Sequence, residues 1–349
     1  MMSLQDPSES LSAILVSLRR MGLLQEGQNV HLQALTGGVS SDIYRADLPG
    51  GSICVKRALP KLKVTADWRA PTERNRHEVG WMRFVQAIAP DAVPRVLAAD
   101  DEGLAFAMQY LEPHRHPVWK AELRDGKAVP QFAAALGRLL GRIHSASADR
   151  TDLASAFATD ANFHAIRLEP YLVASAQRHR DLAQKLEQLV RTTATTRRVL
   201  VHGDVSPKNI LCGPKGPVIL DAECAWFGDP AFDLAFCLNH LLLKAIWRPA
   251  HAQAYADCLR AMRDAYLQTV DWEPAATLER RTADLLPALL LARIDGKSPV
   301  EYLRNETNRA SVRAFARQRL KQVQPDEGLD PVLRAWLTWL RTHPPETEQ

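Results

Sequence analysis

The stretch "VHGDVSPKNILCGPKGPVILDAECAWFGDPAFDLAF" (Val201–Phe236) sets His202, Asp204 and Asn209 within eight residues and then places Asp221 and Glu223 just beyond the apolar run "PVIL". Apolar flanks on both sides of "HGDVSPKN" imply a polar loop held between two short buried strands. A carboxylate fixed in such a loop, at Asp204, can accept a proton from a hydroxyl, and Asn209, five residues on, can reach back toward a cation. Asp221 would project from a strand end beside that loop. If the chain stays extended, Glu223 faces the same side as Asp221. Hard oxygen donors of this kind suit Mg²⁺, which takes one or two protein carboxylates and completes its shell with phosphate and water.

Working outward, the segments on either side differ in texture. Residues 30–58 read as strands, with a break at Gly37-Gly38 and a hairpin turn at Gly50-Gly51. "ERNRHEVGWMRFVQAIA" reads as a helix that ends before Pro90, and "VPRVLAADDEGLAFAMQYLEP" as two strands joined at "DDEG". A leading amphipathic helix is expected from Leu11, Ile14, Leu15 and Leu18 at helical spacing, in place of a signal peptide. Beyond Pro113 the pattern turns helical, as in "PQFAAALGRLLGRIHSAS", where Phe132, Leu136, Leu139, Leu140 and Ile143 share one side. Helices continue to the end apart from a strand-and-loop insert at 199–221. The fold class is therefore α+β in two lobes: a β-rich N-terminal lobe at 1–111 and a mainly helical C-terminal lobe at 112–349.

Composition narrows the function. The 349 residues carry 46% hydrophobic and 24% charged side chains and a net charge of +4, a soluble globular balance. Basic residues are interleaved with acids and the few aromatics do not alternate with them, which excludes a nucleic-acid partner. The apolar run "LLPALLLA" is far too short to cross a bilayer, so no membrane association is expected. Five cysteines, an odd number with no Cys-x-x-Cys pair, fit reduced thiols in a cytoplasmic protein better than disulfides or zinc.

His202-Gly203-Asp204, Asn209 and Asp221 together resemble the catalytic loop and metal-binding Asp of kinase-like phosphotransferases, and "HGD....N" resembles the aminoglycoside phosphotransferase and choline kinase superfamily, where eukaryotic protein kinases usually have Arg in place of Gly203. The resemblance implies a two-lobed protein-kinase-like fold, ATP and Mg²⁺ as cofactors, Asp204 as catalytic base, and Asn209 and Asp221 as Mg²⁺ ligands. Asp233 in "GDPAFDLA" would start a helix and brace the loop, while His202 packs structurally. In the N-terminal lobe, "LTGGVSSDIYRADL" resembles the loop over the phosphates, with Gly37 and Gly38 allowing close approach and Ser40 or Ser41 donating to phosphate or capping the loop. Lys56 resembles the strand lysine on the α- and β-phosphates, Glu78 its helix partner, and the backbone near Gln109 and Leu111 the adenine-binding hinge.

Within the superfamily, "VKRALPKLKV", "LDAECAWFGDPAFDLAF" and "LLARIDG" are similar to 5-methylthioribose kinases. That family replaces Asp-Phe-Gly by Asp-x-Glu, which makes Glu223 of Asp221-Ala222-Glu223 a third Mg²⁺ ligand. It also binds its sugar with two adjacent arginines; here only Arg293 has a counterpart, and Ala292 stands at the first position. The resemblance implies transfer of the ATP γ-phosphoryl group to a hydroxyl of a small molecule, a sugar or sugar-like metabolite in preference to an aminoglycoside or amino alcohol, with a homodimer plausible. Two other classes compete, a protein kinase and a nucleotide-binding pseudoenzyme scaffold. Phe232 follows Asp221 by eleven positions, too few for an ordinary activation loop.

Overall fold

The structure, a computed structural model, describes residues 7–35, 41–59, 73–322, 328–346 and 348. The chain divides into two compact units, Met1–Arg115 and His116–Gln349.

The first unit is built on an antiparallel five-stranded sheet in the order β1-β2-β3-β5-β4. Helix α1 (Pro7–Arg20) precedes β1 (His31–Ala34), β2 (Ser41–Leu48) and β3 (Gly51–Ala58); α2 (Arg74–Ile88) comes next, followed by β4 (Val96–Asp100) and β5 (Ala105–Gln109). The leading stripe is amphipathic as expected. Ile14 and Leu18 are fully buried and join Tyr44, Ala46, Val55 and Ala107 of the sheet, with Leu11 and Leu15 packed at the edge. Pairing of Leu48 with Gly51 puts the β2–β3 turn on Pro49-Gly50, one residue earlier than expected; Gly51, at φ 117°, opens the next strand. Such a φ suits glycine alone.

In the second unit, helices α3 (Trp119–Arg124), α4 (Pro130–Ser147), α5 (Thr151–Ala156) and α6 (Asp160–Phe163) run into a π-helical stretch, His164–Val173, with Pro170 inside it. Then come α7 (Ala174–Arg178), α8 (Ala183–Thr195), β6 (Val199–Val201), β7 (Ile210–Gly213), β8 (Gly216–Ile219) and β9 (Trp226–Gly228). Helices α9 (Pro230–Trp247), α10 (Ala252–Leu267), α11 (Ala275–Asp295), α12 (Glu306–Lys321) and α13 (Leu329–Thr342) complete it. Every residue of α9 from Pro230 to Ile246 is buried, which explains why its sequence is mostly apolar, Asp233, Asn239, His240 and Lys244 being the exceptions. Helices α4 and α10 pack closely because α4 carries glycine at the contact: a Cβ on Gly137 would stand 2.2 Å from the Met262 carbonyl oxygen.

The insert extends past 221. β7 pairs with β8, but β6 pairs with β9, bringing Val201 opposite Trp226. Aromatic packing fixes that second strand, since Trp226 stacks on Phe163 at 4.4 Å between ring centres. Among the described residues no helix is long and apolar enough to cross a membrane.

Candidate active site

The loop between β6 and β7 is held from behind by one carboxylate. Asp233, fully buried in the first turn of α9, accepts hydrogen bonds from the backbone N–H of His202 (to Oδ2) and of Gly203 (to Oδ1), both at 2.7 Å. His144 Nε2 lies 3.3 Å from the same Oδ2, and its Nδ1 meets Tyr266 Oη at 2.8 Å. Charge-assisted bonds to a carboxylate are stronger than neutral ones, and this one satisfies two buried donors that a strand no longer pairs. Asp229 starts the same helix: its side chain accepts from the Ala231 N–H at 3.0 Å, and Pro230 occupies the first helical position.

His202 lies inside the loop and is wholly buried. Its Nε2 donates to the Leu220 carbonyl at 3.0 Å, and its Nδ1 accepts the Asp204 N–H at 3.0 Å, which fixes the neutral tautomer. Burial pushes its pKa below the ordinary histidine value, against the pull of Asp233. Gly203 has φ 77°, and a Cβ there would stand 2.7 Å from the Cys224 carbonyl oxygen and 2.8 Å from Cys224 Cβ. Any side chain at this position is strained twice over.

Asp204 is only 4% exposed. Three groups converge on its Oδ2: Asn209 Nδ2 at 2.8 Å, Arg167 Nη2 at 2.9 Å and Lys208 Nζ at 3.3 Å. Burial raises the Asp204 pKa, while Arg167 and then Lys208 lower it by more, so the group stays ionised below the usual carboxylate range. Asn209 Nδ2 also reaches the Asp204 carbonyl at 3.1 Å. That leaves the amide oxygen of Asn209 as the donor for a cation.

Asp221 follows β8 at φ 70°, a left-handed conformation, and Ala225 N–H closes a turn on the Ala222 carbonyl. The chain therefore does not stay extended from Asp221 to Glu223, and the alternation expected of a strand does not relate their side chains. Instead the segment folds back, and Asn162 Nδ2 holds the Glu223 carbonyl at 3.1 Å. Asp221 still lies close enough to Asp204 to raise its pKa. Asn209, Asp221 and Glu223 supply one amide and two carboxylate groups, a donor set that fits Mg²⁺. Among the described residues no three His, Cys or acidic side chains already form a cage. Mg²⁺ seldom uses such a cage, because it keeps water and phosphate in its shell.

In the first unit, Lys56 of β3 donates to Glu78 of α2 at 2.8 Å, with both side chains 3% exposed. Ser41 is buried at the start of β2; Gly37, Gly38 and Ser40 lie outside the described residues. Gln109 ends β5, opposite Ile53 of β3, and Leu111 lies just beyond it. Arg293, near the end of α11, is buried and donates from Nη1 to Tyr171 Oη at 3.1 Å and to the Ser298 carbonyl.

The residue that sequence reading missed is Arg167. It comes from the π-helical stretch, 7% exposed, with its guanidinium 6.0 Å from the Tyr171 ring centre and 5.8 Å from that of Phe236. Besides Asp204, it bonds the Gly203 carbonyl through Nε at 2.5 Å. Its signal in the sequence is faint: an arginine between Ile166 and Leu168 on an otherwise apolar face.

The profile described as "Phosphotransferase enzyme family" matches residues 31–267, more than half of the chain. The chain belongs to this family. Among curated proteins, this family member is similar to methylthioribose kinase 2 of Oryza sativa subsp. japonica, 23% identical over 257 residues, covering 66% of this chain and 60% of that one. It is also similar to the methylthioribose kinase of Bacillus velezensis, 25% identical over 297 residues, covering 75% and 74%. A further relative is the Escherichia coli O45:K1 methylthioribose kinase, 26% identical over 252 residues, covering 62% of this chain. The chain spans about 60% of the length of the rice and Escherichia coli relatives.

Among solved structures, the choline kinase from Cryptosporidium parvum Iowa II aligns with a TM-score of 0.56 at 11% identity, covering 95% of this chain and 99% of that one. The choline/ethanolamine kinase family protein from Mesorhizobium loti aligns with a TM-score of 0.50 at 13% identity, covering 93% and 97%. At those identities the likeness establishes the fold, which is α+β and protein-kinase-like, as the sequence resemblance implied.

Proposed function

We propose that the protein is an ATP- and Mg²⁺-dependent small-molecule kinase that transfers the γ-phosphoryl group of ATP to a hydroxyl of a sugar or sugar-like metabolite. The observation that carries the reading is the buried carboxylate of Asp204, kept ionised by Arg167 in a loop locked by Asp233, within a chain of the phosphotransferase family. The three contacts at Oδ2 orient the carboxylate and leave Oδ1 to accept the hydroxyl proton. With its pKa held low, Asp204 is a weak base, suited to positioning a hydroxyl and taking its proton late, as a loose phosphoryl-transfer transition state requires. Lys56, oriented by Glu78, holds the triphosphate; Ser41 with Gly37, Gly38 and Ser40, and the backbone near Gln109 and Leu111, complete the nucleotide site. Asn209, Asp221 and Glu223 would hold Mg²⁺, which when bound would supply positive charge to the phosphate groups. Arg293, committed to Tyr171 and Ser298, would shape the acceptor side through those contacts.

The sugar-like acceptor rests on the methylthioribose kinase relatives. A protein kinase is disfavoured by the strain that a side chain at Gly203 would meet and by α9 starting only nine positions after Asp221. The test is ATP consumption by purified protein across sugars, amino alcohols and aminoglycosides, with Asp204→Asn beside it. The expected result is turnover on a sugar-like compound and a loss on the order of 10² to 10⁴ in kcat for the variant, with nucleotide binding kept. Unchanged turnover in Asp204→Asn would remove the base assignment.

A further inference from the structure

The second unit contains a cavity of about 410 Å³ walled by α3, the end of α9 and the loop that follows α11. Lys120, Arg124, Arg248 and Arg304 line it against a single carboxylate, Glu301. Glu301 is already paired with Lys120, and Arg124 with Asp125 outside the lining. The Arg248 guanidinium lies 4.7 Å from the Trp247 ring centre, and its buried Nε has no hydrogen-bond partner among the described residues. Behind the wall stands Lys244, 1% exposed, its ammonium 3.9 Å from the Trp247 ring centre and 3.7 Å from that of Tyr302. Both rings line the cavity, and Lys244 Nζ also lacks a hydrogen-bond partner among the described residues. A buried cation that meets only ring faces is poorly compensated.

We propose that this cavity binds an oxyanion group, a carboxylate or a phosphate ester, and, resting on the kinase reading above, that the group belongs to the hydroxyl acceptor. The cavity shares its walls with the elements that hold the base. Val118 bridges Leu211 of β7, the strand that follows Asn209. Tyr302 Oη lies 3.3 Å from His240 Nδ1, His240 packs edge-on against Phe236, and Phe236 lies under Arg167. A cationic acceptor fits poorly, because the aromatic pair is already covered by the Lys244 side chain and the rim has a positive excess. An anion in the cavity would favour protonated Lys244. Burial, then Lys120, lower the Lys244 pKa to about 6, with Glu301 opposing and Arg248 and Arg124 adding to the shift. Binding should therefore tighten as pH falls toward 6.

Sulfate serves as a probe because it does not titrate in this range. Calorimetric titration of the full chain should show saturable sulfate binding in a chloride background, at least about tenfold weaker in Arg248→Gln with the far-UV spectrum and Tm unchanged. Lys244→Met should still bind but lose the tightening between pH 7.5 and 5.5. Absence of saturable binding, or binding that Arg248→Gln leaves unaltered, overturns the site. For the acceptor, hydroxy acids and sugar phosphates are screened for ATP-dependent turnover. Arg248→Gln should raise KM at least about tenfold, more than it lowers kcat; an unmoved KM with sulfate binding lost overturns the acceptor assignment. Turnover only of uncharged or cationic acceptors overturns the acceptor assignment, whereas no turnover across these and the sugars, amino alcohols and aminoglycosides, with sulfate still bound at Arg248, removes the kinase reading and leaves the anion site standing.

Discussion

At the scale of single residues, Arg167 sets the ionisation of Asp204. Burial raises the carboxyl, and the adjacent guanidinium is the largest of the charges, Lys208 next, that together reverse that sign. Arg167→Met removes the largest opposing charge, so the Asp204 pKa should rise. The acid limb of the kcat–pH profile should move upward accordingly, and Arg167→Lys should restore most of it; a profile that stays in place would show that Arg167 acts only by packing. The same substitution leaves a buried charge without its main partner, at a cost of about 3–5 kcal/mol, so the variant should also melt earlier. His202, although it draws attention in the motif, is committed on both ring nitrogens and has none left for a substrate.

At the scale of elements, the contact between α4 and α10 depends on glycine. Alanine in a helix interior is favoured over glycine by about 1 kcal/mol. At Gly137, however, the added methyl would have to displace backbone, the Met262 carbonyl, and overpacking of that kind typically costs about 1–3 kcal/mol. Gly137→Ala should therefore destabilise the protein, with a lower midpoint in urea and a nearly unchanged slope; a higher midpoint would mean that the helices can part without loss. Helix α11 shows a second local conflict resolved by packing. Its last residue, Asp295, places negative charge at a helix C-terminus, where the dipole disfavours it. Arg313 of α12 grips both carboxylate oxygens, at 2.6 and 2.9 Å, and His179 Nε2 adds a contact at 2.9 Å.

At the scale of the whole molecule, the pKa directions combine into a stability profile. His202 and His240 are buried and their pKa values lie below the ordinary histidine value, His240 well below it. An unfolded chain binds those protons more readily, so their contribution is present above about pH 6.5 and is lost as pH falls toward the folded values. Asp204 and Asp295, both lowered, lose their contribution next, below about pH 4. Lys244, held at about 6 where the unfolded side chain titrates above about 10, adds a loss that is already under way at pH 8 and ends at about pH 6. Urea midpoints measured from pH 8 to pH 4 should therefore fall throughout, and a midpoint that rises between pH 7 and pH 5 would contradict it. The features legible in the sequence were those with a period or fixed spacing: the α1 stripe, the strand-then-helix order and the His-Gly-Asp loop. Partners contributed from distant chain were not. Arg167 lies 37 positions before Asp204, the β6–β9 pairing joins segments separated by the whole loop, and Lys244 reads as one polar break in an apolar helix. The left-handed backbone at Asp221 was hidden for another reason, since aspartate gives no warning of a positive φ in the way that glycine does.

The π-helical stretch has a consequence for which changes the chain can absorb. A π-helix bonds residue i to i+5 where an α-helix uses i+4, so it holds an extra residue in a turn of otherwise similar path. Arg167 sits inside this widened turn. Deleting one residue between 168 and 173 would let the turn relax to α geometry, so that the chain on either side keeps its path while residues inside the former wide turn, Arg167 among them, project in a different direction. The guanidinium would then swing away from Asp204. The segment should tolerate changes of side chain far better than a change of residue count. A one-residue deletion there should abolish turnover while the helical circular-dichroism signal survives, whereas Leu168→Met should leave both intact. Retained turnover in the deletion variant would show that the turn can re-form around a different register. In evolutionary terms the stretch behaves as a counting device: the spacing between its two ends, more than the identity of most residues inside, is what selection would have to guard.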